Sequence, residues 1–163
     1  MAKQRNNARP SITTLPDFGK VPPQANDMEE AVLGAVMLEK EAVITILDIL
    51  RPESFYKDSH RKIFKAISDL NAREYPVDLY TVMEELRAHH ELESIGGPVY
   101  LTQLTSKVVS AANVEYHARI VAQKYIQREL IRVSTEIQTR SFDDTWDVTE
   151  LLDYSENELF QIA

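Results

Sequence analysis

From residue 28 onward the apolar positions recur at spacings of three and four. No segment sustains an alternation of two, so the pattern predicts helices and no strands. Val32, Leu33, Val36 and Met37 share one face of a helix over about 28–38, and Asp27 with Glu30 makes a capping-box pattern at its start. A second helix, over about 40–50, carries Val43, Ile44, Ile46, Leu47 and Leu50. Pro52 stops it, because the residue before a proline avoids the helical region. A third, over about 59–71, opens at Asp58 or Ser59 and turns Ile63, Phe64, Ile67 and Leu70 inward. A fourth, over about 79–89, is capped by Asp78 and buries Leu79, Val82, Met83 and Leu86. Gly96 and Gly97 then reverse the chain, and Pro98 stands where a first helical residue belongs, opening a fifth helix to about 107.

The second half has a different design. One long helix over about 113–142 is followed by a turn at Asp143, Asp144, Thr145 and Trp146. Asp147 and Glu150 then open a last helix that runs to the chain end. Two long helices joined by a short connection fold back as an antiparallel hairpin. At about 100° per residue, Val114, Ala118, Val121 and Tyr125 share one face of the long helix, while Ile126, Leu130, Val133 and Ile137 share another. The helix is therefore expected to change partner midway, from the globular body to the final helix. The final helix offers Val148, Leu151, Leu152, Leu159 and Ile162 as its seam. Ile120, Ile131 and Phe142 line a third, sparse face, and Tyr154 and Phe160 lie off the seam. These five are the candidate subunit or partner contacts. The fold expected is all-α: a tail at 1–26, a globular helical bundle at 27–108 and a long helical hairpin at 109–163 that serves oligomerisation.

Charge refines this picture. The net charge of −8 is uneven, since residues 1–26 hold Lys3, Arg5, Arg9 and Lys20 against Asp17 alone. That segment, rich in Asn, Gln, Ser, Thr and Pro, reads as a disordered basic tail. The body and hairpin are then strongly acidic, a poor surface for DNA, whose affinity comes from phosphate neutralisation. Protein partners are the better expectation. The last helix has Asp147, Glu150, Asp153, Glu156 and Glu158 with no cation, against a long helix rich in arginine. No apolar run approaches the roughly 20 residues of a membrane span. The chain has no cysteine, which removes disulfides and thiolate metal sites and fits a cytoplasmic protein.

Candidate chemistry is thin. His89 and His90 point about 100° apart on a helix, His60 and His117 are isolated, and no ligand set completes a metal site. Glu84 with Glu85 and Asp143 with Asp144 read as solvated charge. Gly96 and Gly97 follow no strand and make no phosphate cradle. Lys57, His60, Arg61, Lys62 and Lys65 form the one basic concentration in the body. No catalytic, cofactor-binding or metal residue is expected.

Several short pieces in a fixed order carry more. They are Pro22-Pro23; Met28-Glu29-Glu30-Ala31-Val32-Leu33-Gly34; Pro52-Glu53 with Phe55-Tyr56; His60-Arg61-Lys62-Ile63-Phe64; and Pro76-Val77-Asp78-Leu79. Ile95-Gly96-Gly97-Pro98-Val99-Tyr100-Leu101, Ser110-Ala111-Ala112-Asn113-Val114, Ala118-Arg119-Ile120-Val121 and a closing Glu158-Leu159-Phe160-Gln161-Ile162-Ala163 follow. In that order the chain resembles the N-terminal domain of the bacterial replicative DNA helicase family, DnaB, over about residues 21–163. The resemblance implies a helical body plus a hairpin, hairpins of neighbouring subunits pairing into a dimer and a hexameric collar, and primase docked on that collar. A helicase loader is a further expected partner. ATP, magnesium and most DNA contact belong to the motor domain of the parent helicase, and no Gly-rich phosphate-binding loop occurs in these 163 residues. Two alternatives stay open: a nucleic-acid-binding module using the basic tail and the 57–65 patch, and a free-standing helical adaptor.

Overall fold

The computed structural model describes residues 20–163, and among them the only regular elements are helices. They are α1 (Asn26–Leu38), α2 (Lys40–Ile49), α3 (Asp58–Ala72), α4 (Leu79–Ala88), α5 (Gly97–Ser106), α6 (Val114–Ser141) and α7 (Val148–Ile162), with 3-10 turns at Pro52–Ser54 and Glu93–Ile95. The basic tail lies for the most part outside the described residues. Two compact units are built from this chain, one of Pro23–Arg128 and one based on Glu129–Ala163, so that α6 is shared between them.

The first unit is the helical body. Val32, Leu33, Val36, Ile46, Phe55, Ile63, Phe64, Ile67, Val82, Leu86, Leu101 and Leu104 are buried in one apolar cluster. Ala118 and Val121 of α6 belong to the same cluster, which is why the body extends past residue 108 to take in the first half of that helix. Gly34 makes the close packing of α1 on α5 possible: a Cβ there would stand 2.3 Å from the Leu104 carbonyl oxygen. Gly96 adopts φ +112°, the left-handed turn that ends one 3-10 turn and starts α5.

Local details depart from the sequence pattern at helix starts. Helix α1 begins at Asn26, one residue before the expected cap, and has no side-chain cap; Asp27 sits in its first turn instead. Helix α3 begins at Asp58 with Lys57 before it and also lacks a side-chain cap. In both cases the acidic residue acts on the exposed N–H groups through its charge near the helix N-terminus. By contrast Asp78 caps α4, accepting from Tyr80 N–H and Thr81 N–H while Thr81 Oγ1 accepts from Asp78 N–H. Pro98 lies in the first turn of α5, as its missing N–H requires. Ile44 faces solvent, because Val43 and Ile46 already fill the buried face of α2.

The second unit is the hairpin of the second half of α6 with α7. Asp147 Oδ1 caps α7 by accepting from Thr149 N–H and Glu150 N–H. Arg132 reaches Glu158, and Tyr154 reaches Glu136. Four residues forward on α6 answer to four residues back on α7, which makes the pair antiparallel.

Candidate functional site

The seam of the hairpin is polar at its middle. Arg132 donates through Nε and Nη2 to Glu129 Oε2 at 3.0 and 2.9 Å, through Nη1 to Glu136 Oε1 at 3.1 Å, and through Nη2 to Glu158 Oε2 at 3.3 Å. Its hydrogen bond to Glu129 and the other carboxylates raise its pKa further above the ordinary value. Tyr154 donates its hydroxyl to Glu136, and this bond, with Arg132 beside it, holds the Glu136 carboxyl below the usual range. The Arg140 guanidinium lies 3.6 Å from the Tyr154 ring centroid and 4.5 Å from that of Trp146. Such contacts orient two helices and exclude little apolar surface from water.

The apolar residues of the hairpin are consequently only partly covered. Within residues 129–163 Val133 is the one buried side chain, and α7 buries none. Val148 is 71% exposed and Leu152 65%, and Leu159 and Leu130 are exposed as well. At about 100° per residue, Val148, Leu152 and Leu159 fall within about 40° of one another on α7, and Leu130 and Ile137 within about 20° on α6. Both sets are turned in the same rotational sense from the seam. In an antiparallel pair that sense places them on one side of the hairpin. Helical geometry thus puts Leu130 and the half-buried Ile137 on the same side of the hairpin as the exposed Val148, Leu152 and Leu159.

This face is not the one the sequence pattern marks. Ile120 and Ile131 are half-buried, and Phe142 and Phe160 are 84% and 76% exposed. Tyr154 is half-buried and engaged with Glu136 and Arg140 inside the hairpin. Ile131 lies on a side of α6 away from Leu130, and Phe142 stands just past the end of that helix. Val148, Leu152 and Leu159, expected in the internal seam, lie outside it because Tyr154 and Glu158 occupy that position. The available signal was the width of the α7 apolar set, about 100° from Leu151 to Leu152, wider than one neighbouring helix covers.

Three further groupings lie in the body, of which only the basic patch at 57–65 was legible in the sequence. His60 is fully buried: its Nδ1 lies 2.6 Å from Glu29 Oε2 and its Nε2 2.6 Å from the Tyr100 hydroxyl, while Glu29 Oε1 accepts from Tyr56 N–H at 2.6 Å. With hydrogen on Nδ1 the neutral ring donates to the carboxylate and accepts from Tyr100, so both nitrogens are satisfied. Burial, with Glu30 and Glu29 nearby, pushes the Tyr100 hydroxyl up to about 12. The network ties α1, α3 and α5 together. The lysines of the basic patch at 57–65 are meanwhile neutralised, Lys57 by Glu30, Lys62 by Asp58 and Lys65 by Asp69, whereas Arg61 donates to the Phe55 and Tyr56 carbonyls and keeps its charge. Asp69, Glu85 and His89 do approach one another, a ligand-like trio missed in the sequence. Arg73 at 2.6 Å from Glu85 and Lys65 at 2.8 Å from Asp69 already compensate its charge.

The profile described as DnaB-like helicase N terminal domain matches residues 21–123. The chain belongs to the DnaB-like helicase N-terminal domain family. Among curated relatives it is 50% identical over 145 residues to the replicative DNA helicase DnaB of Rhodothermus marinus, covering 89% of this chain and 15% of that protein. To the DnaB of Geobacillus stearothermophilus it is 43% identical over 144 residues, covering 88% of this chain and 32% of the relative. The chain thus spans a third or less of these relatives. The crystal structure of the N-terminal domain of DnaB helicase from Mycobacterium tuberculosis superposes with a TM-score of 0.81 at 38% identity, covering 86% of this chain and 99% of that one. A DnaB-like replicative helicase, described together with its interactions with primase, superposes with a TM-score of 0.71 at 25% identity, over 85% of this chain and 32% of its own. The DnaB-type body and hairpin therefore correspond to a known, separately crystallised domain. Among the described residues no helix is long and apolar enough to cross a membrane.

Proposed function

We propose that this DnaB-type domain is the non-catalytic collar of a replicative DNA helicase, joining subunits through its hairpin and holding primase beside the motor during DNA replication in the cytoplasm. The observation that carries this reading is the exposure of Leu130, Val148, Leu152 and Leu159, with the half-buried Ile137 on the same side. A two-helix unit with one buried side chain gains stability when a second copy covers that face, at about 25 cal/mol per Å² of apolar surface removed from water. Two hairpins laid face to face give a four-helix arrangement with the polar Arg132 network outside its new core. Pairing by this route is a first step toward a hexamer. ATP hydrolysis and its magnesium, DNA translocation and the contact with a helicase loader belong to the parent assembly in this reading. The relative described with primase supports primase as the collar's partner. A nucleic-acid module is disfavoured because the cations at 57, 62 and 65 face carboxylates.

The test is multi-angle light scattering of the chain and of Leu152→Glu. A buried unpaired carboxylate at a paired interface costs several kcal/mol, about 3 or more, so the variant is expected to be monomeric at concentrations where the parent chain is dimeric. A parent chain that stays monomeric at high concentration defeats the proposal.

A further inference from the structure

Arg51, Arg61 and Arg128 come from three separate segments of the body and converge on Tyr56 and Tyr125. The Arg128 guanidinium lies 5.5 Å from the Tyr56 ring centroid and 5.9 Å from that of Tyr125, and the Arg51 guanidinium lies 5.8 Å from the same Tyr125 ring. Arg61 donates to the Phe55 carbonyl at 2.7 Å and the Tyr56 carbonyl at 3.2 Å. Arg128 donates to the Pro23 carbonyl at 2.7 Å and the Ser54 carbonyl at 2.9 Å. Arg61 and Arg128 are thus held by backbone carbonyls, and Arg51 lies over the Tyr125 ring.

Among the described residues none of the three meets a carboxylate. Elsewhere on the body Lys57, Lys62, Lys65, Arg73, Arg87, Lys107 and Arg119 each face one. Glu29, the nearest buried acid, spends both oxygens on Tyr56 N–H and His60. Burial lowers the pKa of Arg128, and the Arg61 charge adds to that effect against the opposing pull of Glu29. A guanidinium has five N–H donors, and Arg128 commits two bonds. Three oriented, unpaired guanidiniums in a chain of net charge −8 are a preformed receptor for a planar oxyanion.

We propose that Arg51, Arg61 and Arg128 form a docking site for the carboxylates of an acidic segment of a partner protein. A polynucleotide suits the site less well. The two tyrosine rings already carry guanidiniums and offer no bare stacking platform. The three arginines all belong to the body unit, and none belongs to the hairpin face. The site is therefore additional to subunit pairing and does not depend on it.

The probe is a synthetic amphipathic helical peptide of Glu, Leu and Ala, titrated into the full chain while the Arg Nε–H signals are followed by NMR. Saturable shifts at Arg51, Arg61 and Arg128 are expected. Binding should weaken by about tenfold or more in Arg51→Gln/Arg61→Gln, the loss of charge-assisted hydrogen bonds. Arg128→Lys, which keeps the charge and removes the fork, should weaken it as well, and the matching Gln peptide should not bind. Arg119→Gln removes one charge elsewhere and should change nothing. Equal weakening by Arg119→Gln would reduce the effect to general electrostatics and overturn the proposal. So would tighter binding of a thymidine oligonucleotide at the same arginines, or a changed oligomeric state of the double variant without peptide.

Discussion

His60 has no exposed surface and two partners, so its removal leaves the Glu29 carboxylate buried with only Tyr56 N–H to hold it. His60→Ala is expected to destabilise the body by about 3 kcal/mol, the range found when one member of a buried polar pair is deleted. Thermal unfolding followed by circular dichroism measures it, and a change below about 1 kcal/mol would place the stability of the body in its apolar cluster alone. Tyr100 gives the same network a pH signature. Its folded pKa is raised from 10.0 to about 12, so its neutral form is favoured in the fold. The associated stability is fully present below pH 10 and is lost as pH rises toward 12. Tyr100→Phe should flatten the alkaline limb of the stability curve between those values; an unchanged limb would assign it to other groups.

At the level of elements, α6 and α7 are joined by ionised groups more than by apolar contact. The Glu136 carboxyl is held below its ordinary value of 4.5 by the Tyr154 hydroxyl and by Arg132. Its contribution is therefore present above that value and is lost as the pH falls through the depressed folded pKa. The hairpin should loosen in acid before the body does. Trp146 is the only tryptophan in the chain and packs on Arg140, so its fluorescence reports this unit selectively. Coincident acid transitions of Trp146 fluorescence and far-ultraviolet ellipticity would contradict separate behaviour. Asp147→Ala removes the cap of α7 and should cost about 1 kcal/mol, again seen first at Trp146.

For the whole molecule, a body with a closed apolar cluster carries a hairpin that leaves Val148 and Leu152 in water. The proposed collar role joins these two features: the apolar cluster closes the body, and a second subunit would cover the open side of the hairpin. The C-terminal region of the cognate primase is expected to bind the paired domain more tightly than Leu152→Glu, which keeps the body and loses the pairing. Isothermal titration of both forms decides this. Equal affinity would put the primase surface on a single body.

Much of this was legible in the chain. Helical spacing with Pro52, Asp78, Pro98 and Asp147 as punctuation located the seven α-helices of the described residues, because periodicity and caps are local properties. The fixed order of short apolar and turn pieces pointed to the DnaB N-terminal domain, and the change of face along α6 foretold that Ala118 and Val121 would join the body. Other features depended on contacts between distant residues. Glu29 and His60 are 31 positions apart, and Arg128 and Pro23 are 105 apart, so no spacing rule relates them. Which apolar side of the hairpin stays open was likewise undecided, since Val148, Leu151, Leu152, Leu159 and Ile162 form one continuous set on a helical wheel. Only the rotation of α7 about its axis, set by Arg132, Glu136, Tyr154 and Glu158, turns Val148, Leu152 and Leu159 outward. A sequence specifies where apolar surface lies on each helix; the packing of one helix on another decides how much of it remains for a partner.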